Sequence, residues 1–251
     1  MEQQFLGRHA LVTGSTQGIG FAIAKTLAAR GAAVTLNYPH AQMRELADQA
    51  VNSIRASGGT ASAVCADVRS LDDIRRLFDE AESRHGPLHF VVSNVGGTGG
   101  FHKIEEIDEA LWDQTISLTA KSMFFVMKEA GRRVLDHGRI VGISSTTVHA
   151  PYPGVAAYAG AKAAVEIYCK TLAKEVGHRF VTVNCIAPGL TMTEGVGIYG
   201  VTPERIEYLK GIAPMGRLAD AQDIADSVMM VLSDDAHWVT AQIIAASGGM
   251  S

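Results

Sequence analysis

The 251-residue sequence is poor in cysteine and contains no segment typical of a targeting or membrane signal. It has three cysteines, whose spacing fits neither a disulfide framework nor a metal site. No apolar run reaches the length that crosses a bilayer. The first ten residues lack the basic and apolar regions of a secretory signal. We therefore expect a cytoplasmic protein whose cysteines are core residues and which binds no metal.

Charge is sparse and evenly mixed along the chain. Charged residues make up 19% of the sequence, the formal net charge is -4, and no long run carries one sign. This pattern does not predict the basic surfaces that bind nucleic acid or an anionic membrane. We therefore expect the partner to be a small molecule rather than a nucleic acid or a membrane.

Strand-like and helix-like stretches alternate from end to end. The predicted strands are 9–13, 33–38, 62–66, 88–93, 139–144, 180–186 and 242–246, and the predicted helices are 18–29, 43–56, 107–135, 155–176 and 220–232, with another beginning at Ser70. Such alternation predicts an α/β Rossmann-type fold, a doubly wound parallel sheet of about seven strands flanked by helices. No linker is visible, so residues 1–251 are expected to form a single domain. The glycine- and proline-containing stretch 189–214 interrupts the pattern and is predicted to be a substrate lid.

The first predicted strand runs into a glycine-rich turn with the spacing G-x-x-x-G-x-G. Glycines let backbone N–H groups approach a pyrophosphate, and the helix N-terminus that follows adds partial positive charge. The same turn could also join a strand to a helix with no ligand, but its place at the first strand–helix junction favours a dinucleotide. The candidate cofactor-binding residues are Gly14, Ser15, Thr16, Gln17, Gly18, Ile19 and Gly20.

The tip of the second strand predicts which dinucleotide binds. An acidic residue there would select NAD by accepting hydrogen bonds from the ribose 2′-OH, but the chain reads Asn37-Tyr38-Pro39-His40. Nothing acidic would repel a 2′-phosphate, and Gln17, Asn37 and His40 could donate hydrogen bonds to it. NADP(H) is therefore favoured, and NAD(H) stays possible because this tip has no arginine.

Two residues four apart, Tyr158 and Lys162, combine a phenol with a cation on one face of a predicted helix. A nearby cation lowers the pKa of a tyrosine toward the range useful for proton transfer. The pair alone is common in ordinary amphipathic helices. However, Ser145 lies thirteen residues before Tyr158 at the end of a predicted strand, and Pro188-Gly189 form a rigid turn after another.

Together these motifs, in this order and spacing, resemble the classical short-chain dehydrogenase/reductase family over nearly the whole chain. The resemblance places the chain near members similar to 3-oxoacyl-[acyl-carrier-protein] reductase. The resemblance implies that Tyr158 is the general acid in carbonyl reduction and that Lys162 lowers its pKa and binds the nicotinamide ribose. It implies that Ser145 holds the substrate oxygen. It also implies a homotetramer or homodimer and further cofactor contacts at Asp67, Val68, Asn94, Gly96, Pro188, Gly189, Leu190, Thr191 and Thr193.

The chain departs from the family pattern most clearly at Ser117. Members of the family carry Asn there, which holds a helix kink and a water that links the lysine to solvent. Ser117 has a shorter side chain with fewer hydrogen-bonding groups. We therefore expect Ser117 to occupy a catalytic position with a weakened proton relay.

These observations predict an NAD(P)(H)-dependent oxidoreductase that interconverts a ketone and a secondary alcohol, and more narrowly a ketoreductase. Apolar residues in the predicted lid favour a ring or acyl ketone. Two alternatives stay open. One is a fold relative that binds the cofactor but catalyses a dehydration or cyclisation, and the other is a non-catalytic binding protein.

Overall fold

The computed structural model of the chain describes residues 3–97, 100–193 and 202–250. Its strands are β1 (His9–Val12), β2 (Ala33–Tyr38), β3 (Thr60–Cys65), β4 (Phe90–Ser93), β5 (Arg139–Ile143), β6 (Thr182–Pro188), β7 (Thr191–Met192), β8 (Ala219–Asp220) and β9 (Ile243–Ala246). Its α-helices are α1 (Gly18–Ala29), α2 (Arg44–Ala56), α3 (Leu71–His85), α4 (Glu109–Ile116), α5 (Ser122–Arg133), α6 (Ala156–Val176), α7 (Pro203–Ile212) and α8 (Ala221–Leu232).

Seven of these strands form one sheet in the order β3-β2-β1-β4-β5-β6-β9, and every neighbouring pair is parallel. The chain winds outward from β1 in one direction and from β4 in the other. The order therefore reverses between these two strands, which leaves a crevice outside their carboxyl ends. The predicted Rossmann-type sheet of about seven strands is confirmed.

The sheet is buried on both faces. Successive residues of β4 point to opposite sides, so Phe90 and Val92 join the apolar layer under α1, α2 and α8. Val91 joins the layer under α3, α5 and α6. Burial on both faces explains why the strands read as continuous apolar runs instead of alternating with polar residues. Cys169 and Cys185 are buried in the second layer, as expected of core cysteines.

Two predicted stretches differ in detail from the structure. The helical stretch predicted over 107–135 is observed from Glu109 to Arg133, but a five-residue π-helical turn, Ser117–Lys121, interrupts its α-helical pattern between α4 and α5. The predicted lid is not irregular throughout, because it contains α7, whose N-cap Thr202 accepts a hydrogen bond from the backbone of Arg205. Threonine followed by proline is a typical helix start that the sequence analysis did not use. Residues 194–201 of the predicted lid lie outside the described residues.

None of the helices in the described ranges is both long and apolar enough to cross a membrane.

Three histidines cluster at the amino-terminal edge of the sheet, opposite the crevice. His9 is 1% exposed, and its ring lies 5.2 Å from that of His85. Its Nδ1 lies 2.8 Å from the Gly86 carbonyl, which makes Nδ1 the donor, and its Nε2 then accepts from the Thr35 hydroxyl at 2.9 Å. Burial lowers the pKa of His9 to about 4. Burial also lowers the pKa values of His85 and His89.

Acidification should therefore destabilise the fold through His9. The unfolded chain binds a proton at this side chain below pH 6.5, whereas the folded chain does so only near pH 4. The contribution is complete above pH 6.5 and is lost as the pH falls toward 4, by roughly 3 kcal/mol in all. Chemical denaturation at about pH 7 and pH 5 measures this loss.

His9→Gln should flatten the pH dependence, and the exposed control His178→Gln should leave it unchanged. A slope for His9→Gln as steep as that of the wild type would exclude His9 as its source.

Candidate active site

The glycine turn after β1 has a backbone that only glycine fits well. Gly14 and Gly18 have φ values of 59° and 58°. A Cβ on Gly20 would lie 2.3 Å from the Gly14 carbonyl oxygen. Gln17, the N-cap of α1, makes no side-chain capping bond, and the first turn holds no acidic residue. The backbone N–H groups at this helix start therefore face a place suited to an anion.

Buried side chains hold this turn in shape. The backbone N–H of Ser15 donates to the Asn37 carbonyl at 3.1 Å, and that of Gly14 donates to Asn37 Oδ1 at 3.2 Å. Asn94 donates from Nδ2 to the carbonyls of Thr13 and Gly14 at 3.0 and 3.1 Å. Both amides therefore support the turn from neighbouring strands.

The structure changes the role expected of Asn37. Its side chain is buried, with 2% of the residue exposed, and its Nδ2 donates to the Ala66 carbonyl at 2.9 Å. The carboxamide is directed into the protein, so the expectation that it donates to a 2′-phosphate was wrong. Tyr38 is also buried, whereas Gln17 and His40 are exposed.

Arg44, which the sequence analysis missed, lies close to the tip of β2. Burial raises the pKa of Tyr38, and the charge of Arg44 partly opposes that effect. The guanidinium is largely exposed, and its one ion pair with a described residue is a long contact of 3.9 Å with Asp48. The sequence pattern gives little sign of this residue, because Arg44 begins the next helix and lies beyond the strand tip.

Asp67 and Val68 follow β3 at the same edge of the sheet. Val68 is buried, and the Asp67 carboxylate is held by Arg69 at 2.6 Å. Hydrogen bonds from Arg69 lower the pKa of Asp67. The Asp67 backbone N–H donates to Asp73 Oδ2 at 2.8 Å, so α3 fixes this turn.

Lys162 is buried in α6 beneath the crevice, with 2% of the residue exposed. Its Nζ donates to the Ile143 carbonyl at 2.6 Å and lies 5.8 Å from the centre of the Tyr158 ring. Burial lowers the pKa of Lys162 to about 8. A Cβ on Gly96 would lie 2.7 Å from Nζ, so a larger residue there would push the ammonium aside. The ammonium therefore lies beside the Tyr158 ring.

The two serines after β5 point to different partners. Ser144 donates from Oγ to Glu166 Oε1 at 2.8 Å, inside the protein. Ser145 Oγ accepts from the Thr147 backbone N–H at 3.3 Å and lies 3.0 Å from the Thr147 hydroxyl. An oxygen that accepts these bonds keeps its own hydrogen for a ligand. The geometry agrees with the thirteen-residue spacing that selected Ser145.

The turn after β6 brings further predicted cofactor residues to this edge. Gly189 donates from its backbone N–H to the Ala246 carbonyl at 3.0 Å, and a Cβ there would lie 3.1 Å from Ser247. Thr191 is buried, and its hydroxyl donates to the Gly189 carbonyl at 3.0 Å. Leu190 and Thr193 are partly buried beside them.

Ser117 is the first residue of the π-helical turn between α4 and α5. The extra residue lets the backbone N–H of Ser122 bond the Ser117 carbonyl five residues back. Ser117 is partly buried, and within the described ranges its hydroxyl has no hydrogen-bond partner. The π-helical turn therefore forms at this position without an asparagine side chain.

An aromatic pair lies at one wall of the crevice. The rings of Phe101 and Tyr152 lie 6.0 Å apart, and both residues are exposed. The backbone of His102 bonds the Gly154 carbonyl at 3.1 Å and ties the two segments together. Gly154 also lines a small cavity that reaches Tyr158. Gly100 and His102 line the same cavity, so the segments that carry Phe101 and Tyr152 adjoin the Tyr158 side chain.

Comparison with known proteins gives consistent results. The family model described as Enoyl-(Acyl carrier protein) reductase matches residues 14–251. The chain is 39% identical to the hydroxynaphthalene reductase-like protein Arp2 of Metarhizium brunneum, with 97% of the chain and 94% of that protein covered. It is 37% identical to a short-chain type dehydrogenase/reductase of Picea abies, with 97% and 92% covered.

A solved structure is also similar. The angucycline C-6 ketoreductase LanV with bound NADP has a TM-score of 0.91 and 32% sequence identity, with 99% of the chain and 97% of that structure covered.

Tyr158→Phe should lower kcat by about 10²–10⁴-fold, because the variant loses the proton donor. Nicotinamide binding should change little, since the ring is kept. Steady-state rates and nicotinamide fluorescence titration measure the two effects. Tyr168→Phe on the same helix is the matched control and should keep full turnover, because its ring packs on Phe124 away from the crevice. Near-normal kcat in Tyr158→Phe would refute the assignment.

Ser117→Asn should raise kcat modestly or leave it unchanged, because a carboxamide can hold a relay water more firmly than a hydroxyl can. Ser117→Ala should lower kcat if the hydroxyl holds that water. Profiles of kcat against pH, with solvent isotope effects, measure both. Loss of activity in Ser117→Asn with intact cofactor binding would show that this serine serves the substrate instead.

Proposed function

The chain belongs to the short-chain dehydrogenase/reductase family, and we propose that it reduces a ring ketone to a secondary alcohol with NADPH. It is an NAD(P)-dependent oxidoreductase. The observation that carries the proposal is the arrangement of Tyr158 and buried Lys162 on α6, facing the crevice at the carboxyl edge of the sheet, where Ser145 follows β5. This arrangement is suited to delivering one proton to a carbonyl oxygen.

The residues at the crevice fit a dinucleotide. The turn packs so closely that a Cβ on Gly14 or Gly20 would collide with neighbouring protein atoms. The start of α1 offers unpaired backbone donors for a pyrophosphate. Asp67 and Val68 would meet the adenine, and Asn94, Pro188, Thr191 and Thr193 would line the nicotinamide side. The bound cofactor supplies the hydride.

The remaining chemistry belongs to the chain itself. Tyr158 donates a proton to the carbonyl oxygen as the carbonyl carbon is reduced, and it accepts one in the reverse direction. Lys162 stabilises the resulting phenolate through its charge. Ser145 donates its free hydroxyl hydrogen to the same substrate oxygen and so orients the carbonyl.

Several features favour NADP(H) over NAD(H). No acidic residue lies at the tip of β2, so nothing there repels a 2′-phosphate. The exposed side chains of Gln17, His40 and Arg44 can donate hydrogen bonds at this edge, and Arg44 adds a positive charge. The similar structure of LanV contains NADP.

The aromatic pair of Phe101 and Tyr152 supports a flat ring substrate, because aromatic faces pack well on one another. One relative is named as a hydroxynaphthalene reductase-like protein, and the LanV structure is that of an angucycline ketoreductase. A fused-ring aromatic ketone therefore fits the wall and the similar proteins better than a linear acyl ketone does. Dehydration or cyclisation is not favoured, and neither is a non-catalytic role.

We place the enzyme in the cytoplasm as a homotetramer or homodimer. Apolar side chains are exposed on the outer faces of the helices between β4 and β6, including Trp112, Phe124 and Ile167. Burying these side chains against a second copy of the chain would remove apolar surface from water. Sedimentation measurements would give the number of copies.

NADPH oxidation with a panel of ketones tests the function. We expect turnover of fused-ring ketones such as 2-tetralone, with a lower kcat/KM for a linear 3-oxoacyl thioester. The same assay with NADH should give a lower kcat/KM than with NADPH. Arg44→Gln should reduce the ratio of kcat/KM with NADPH to kcat/KM with NADH. The exposed Arg75→Gln is the matched control.

A preference for the linear thioester would overturn the substrate class. Equal rates with NADH would overturn the cofactor choice. Failure of every ketone to oxidise either cofactor would overturn the proposed reduction itself.

A further inference from the structure

We propose that Glu166 is a positioning residue for the reaction, because it fixes the segment that carries Ser145. It acts through Ser144 on one side of that segment and through His149 on the other. The proposal rests on the role proposed above for Ser145 and adds a residue that the motifs do not include.

Glu166 is a buried carboxylate directed at this segment. It is 5% exposed, although it lies on a helix whose neighbouring positions are largely apolar. Its Oε1 accepts the Ser144 hydroxyl hydrogen at 2.8 Å and lies 3.0 Å from His149 Nε2. Because a carboxylate only accepts, His149 Nε2 is the donor. One oxygen atom therefore joins two residues that lie on either side of Ser145.

The segment between these two contacts is short. Ser144 directly precedes Ser145, and its backbone N–H donates to the Ile186 carbonyl at 2.7 Å. A 3₁₀ turn, Thr146–Val148, follows Ser145 and ends at His149. With both ends tied to Glu166, the Ser145 side chain has little freedom to move away from the crevice.

The two hydrogen bonds that Glu166 accepts, from Ser144 and His149, also set the distance between this segment and the other reacting groups. Tyr158, Lys162 and Glu166 are spaced by four residues on α6, so they lie along one face of the helix. A hydrogen bond from Ser144 to Glu166 therefore fixes the end of β5 against the same rigid element that holds the proton donor.

The hydrogen-bond chain does not supply protons to Lys162. The single hydrogen of the Ser144 hydroxyl is donated to Glu166, and the other neighbour of that hydroxyl is the Lys162 backbone carbonyl at 3.4 Å. The Lys162 ammonium donates elsewhere, to the Ile143 carbonyl. Glu166 is connected to the position of Ser145 and not to the protonation of the lysine.

A buried carboxylate is costly unless strong hydrogen bonds compensate it. Here the compensation comes from the segment after β5 and not from neighbours on α6. Packing alone would be served by an apolar side chain at this position. The carboxylate gives the segment one defined geometry, as a catalytic group requires.

The first test compares two substitutions of Glu166. Glu166→Ala should lower kcat/KM for the ketone by about 10–100-fold, the size expected for a misplaced catalytic group. Its NADPH affinity by fluorescence titration should be unchanged. Glu166→Gln should keep most of the activity, because the carboxamide oxygen can still accept from Ser144 and His149. The exposed Glu175→Ala on the same helix is the matched control.

The second test asks whether Glu166 acts through Ser145. In a Ser145→Ala background, Glu166→Ala should cause little further loss, because the group it positions is gone. A second double-mutant cycle pairs His149→Ala with Ser145→Ala. Because His149 is half exposed, its truncation leaves no buried cavity. This cycle therefore tests the proposal even if Glu166→Ala does not fold.

If Glu166→Ala lowered kcat/KM equally in the wild-type and the Ser145→Ala backgrounds, the proposal would be overturned. A Glu166→Gln variant as impaired as Glu166→Ala would also overturn it. A fully active Ser145→Ala variant would overturn it together with the proposed role of Ser145. Wild-type ketone turnover, measured in parallel, separates either result from failure of the proposed reduction.

Discussion

The crevice is organised around one buried contact, the hydrogen bond from the Lys162 ammonium to the Ile143 carbonyl at 2.6 Å. Removing an ammonium from water is costly, and the carbonyl at the end of β5 offsets part of that cost. The bond joins α6 to the sheet at the strand end that leads into Ser144 and Ser145. This one bond therefore holds the ammonium beside the Tyr158 ring and also holds the start of the serine segment against α6. Gly96 supports this placement, since a Cβ there would displace the ammonium.

The two edges of the parallel sheet, at the carboxyl and the amino ends of its strands, carry residues with different roles. At the carboxyl edge, glycine turns and short polar side chains leave room and hydrogen-bond donors for ligands. At the amino edge, His9 and its neighbours are packed as neutral side chains whose role is in the stability of the fold. The two apolar layers lie between these edges. Residues at one edge therefore make little direct contact with residues at the other.

Local patterns in the sequence were enough to predict the sheet, the glycine turn and the pairing of Tyr158 with Lys162, because each is a matter of short-range periodicity or spacing. The direction of the Asn37 side chain was not predictable, since it depends on the carbonyls of a neighbouring strand. The hydrogen bonds of Glu166 likewise depend on contacts between distant segments. Glu166 did leave a signal, an acidic residue one helical turn beyond Lys162 on the same face. The helix α7 was missed for a different reason, because glycine and proline nearby obscured an ordinary Thr-Pro helix start.

No residue of the helix α7 is fully buried, and only Ile206 and Leu209 are partly buried. It begins with its own cap at Thr202, and its ion pair and ring contact are local, Lys210 with Glu207 and Arg205 with Tyr208. The order of this segment therefore owes little to the core, and the core owes little to it. Because α7 belongs to the predicted substrate lid, we expect substitutions within it to change which molecules the crevice admits at little cost to folding. Substrate range can therefore change during evolution without a matching change in the stability of the fold. The helix α7 is for the same reason a suitable segment to exchange between related enzymes.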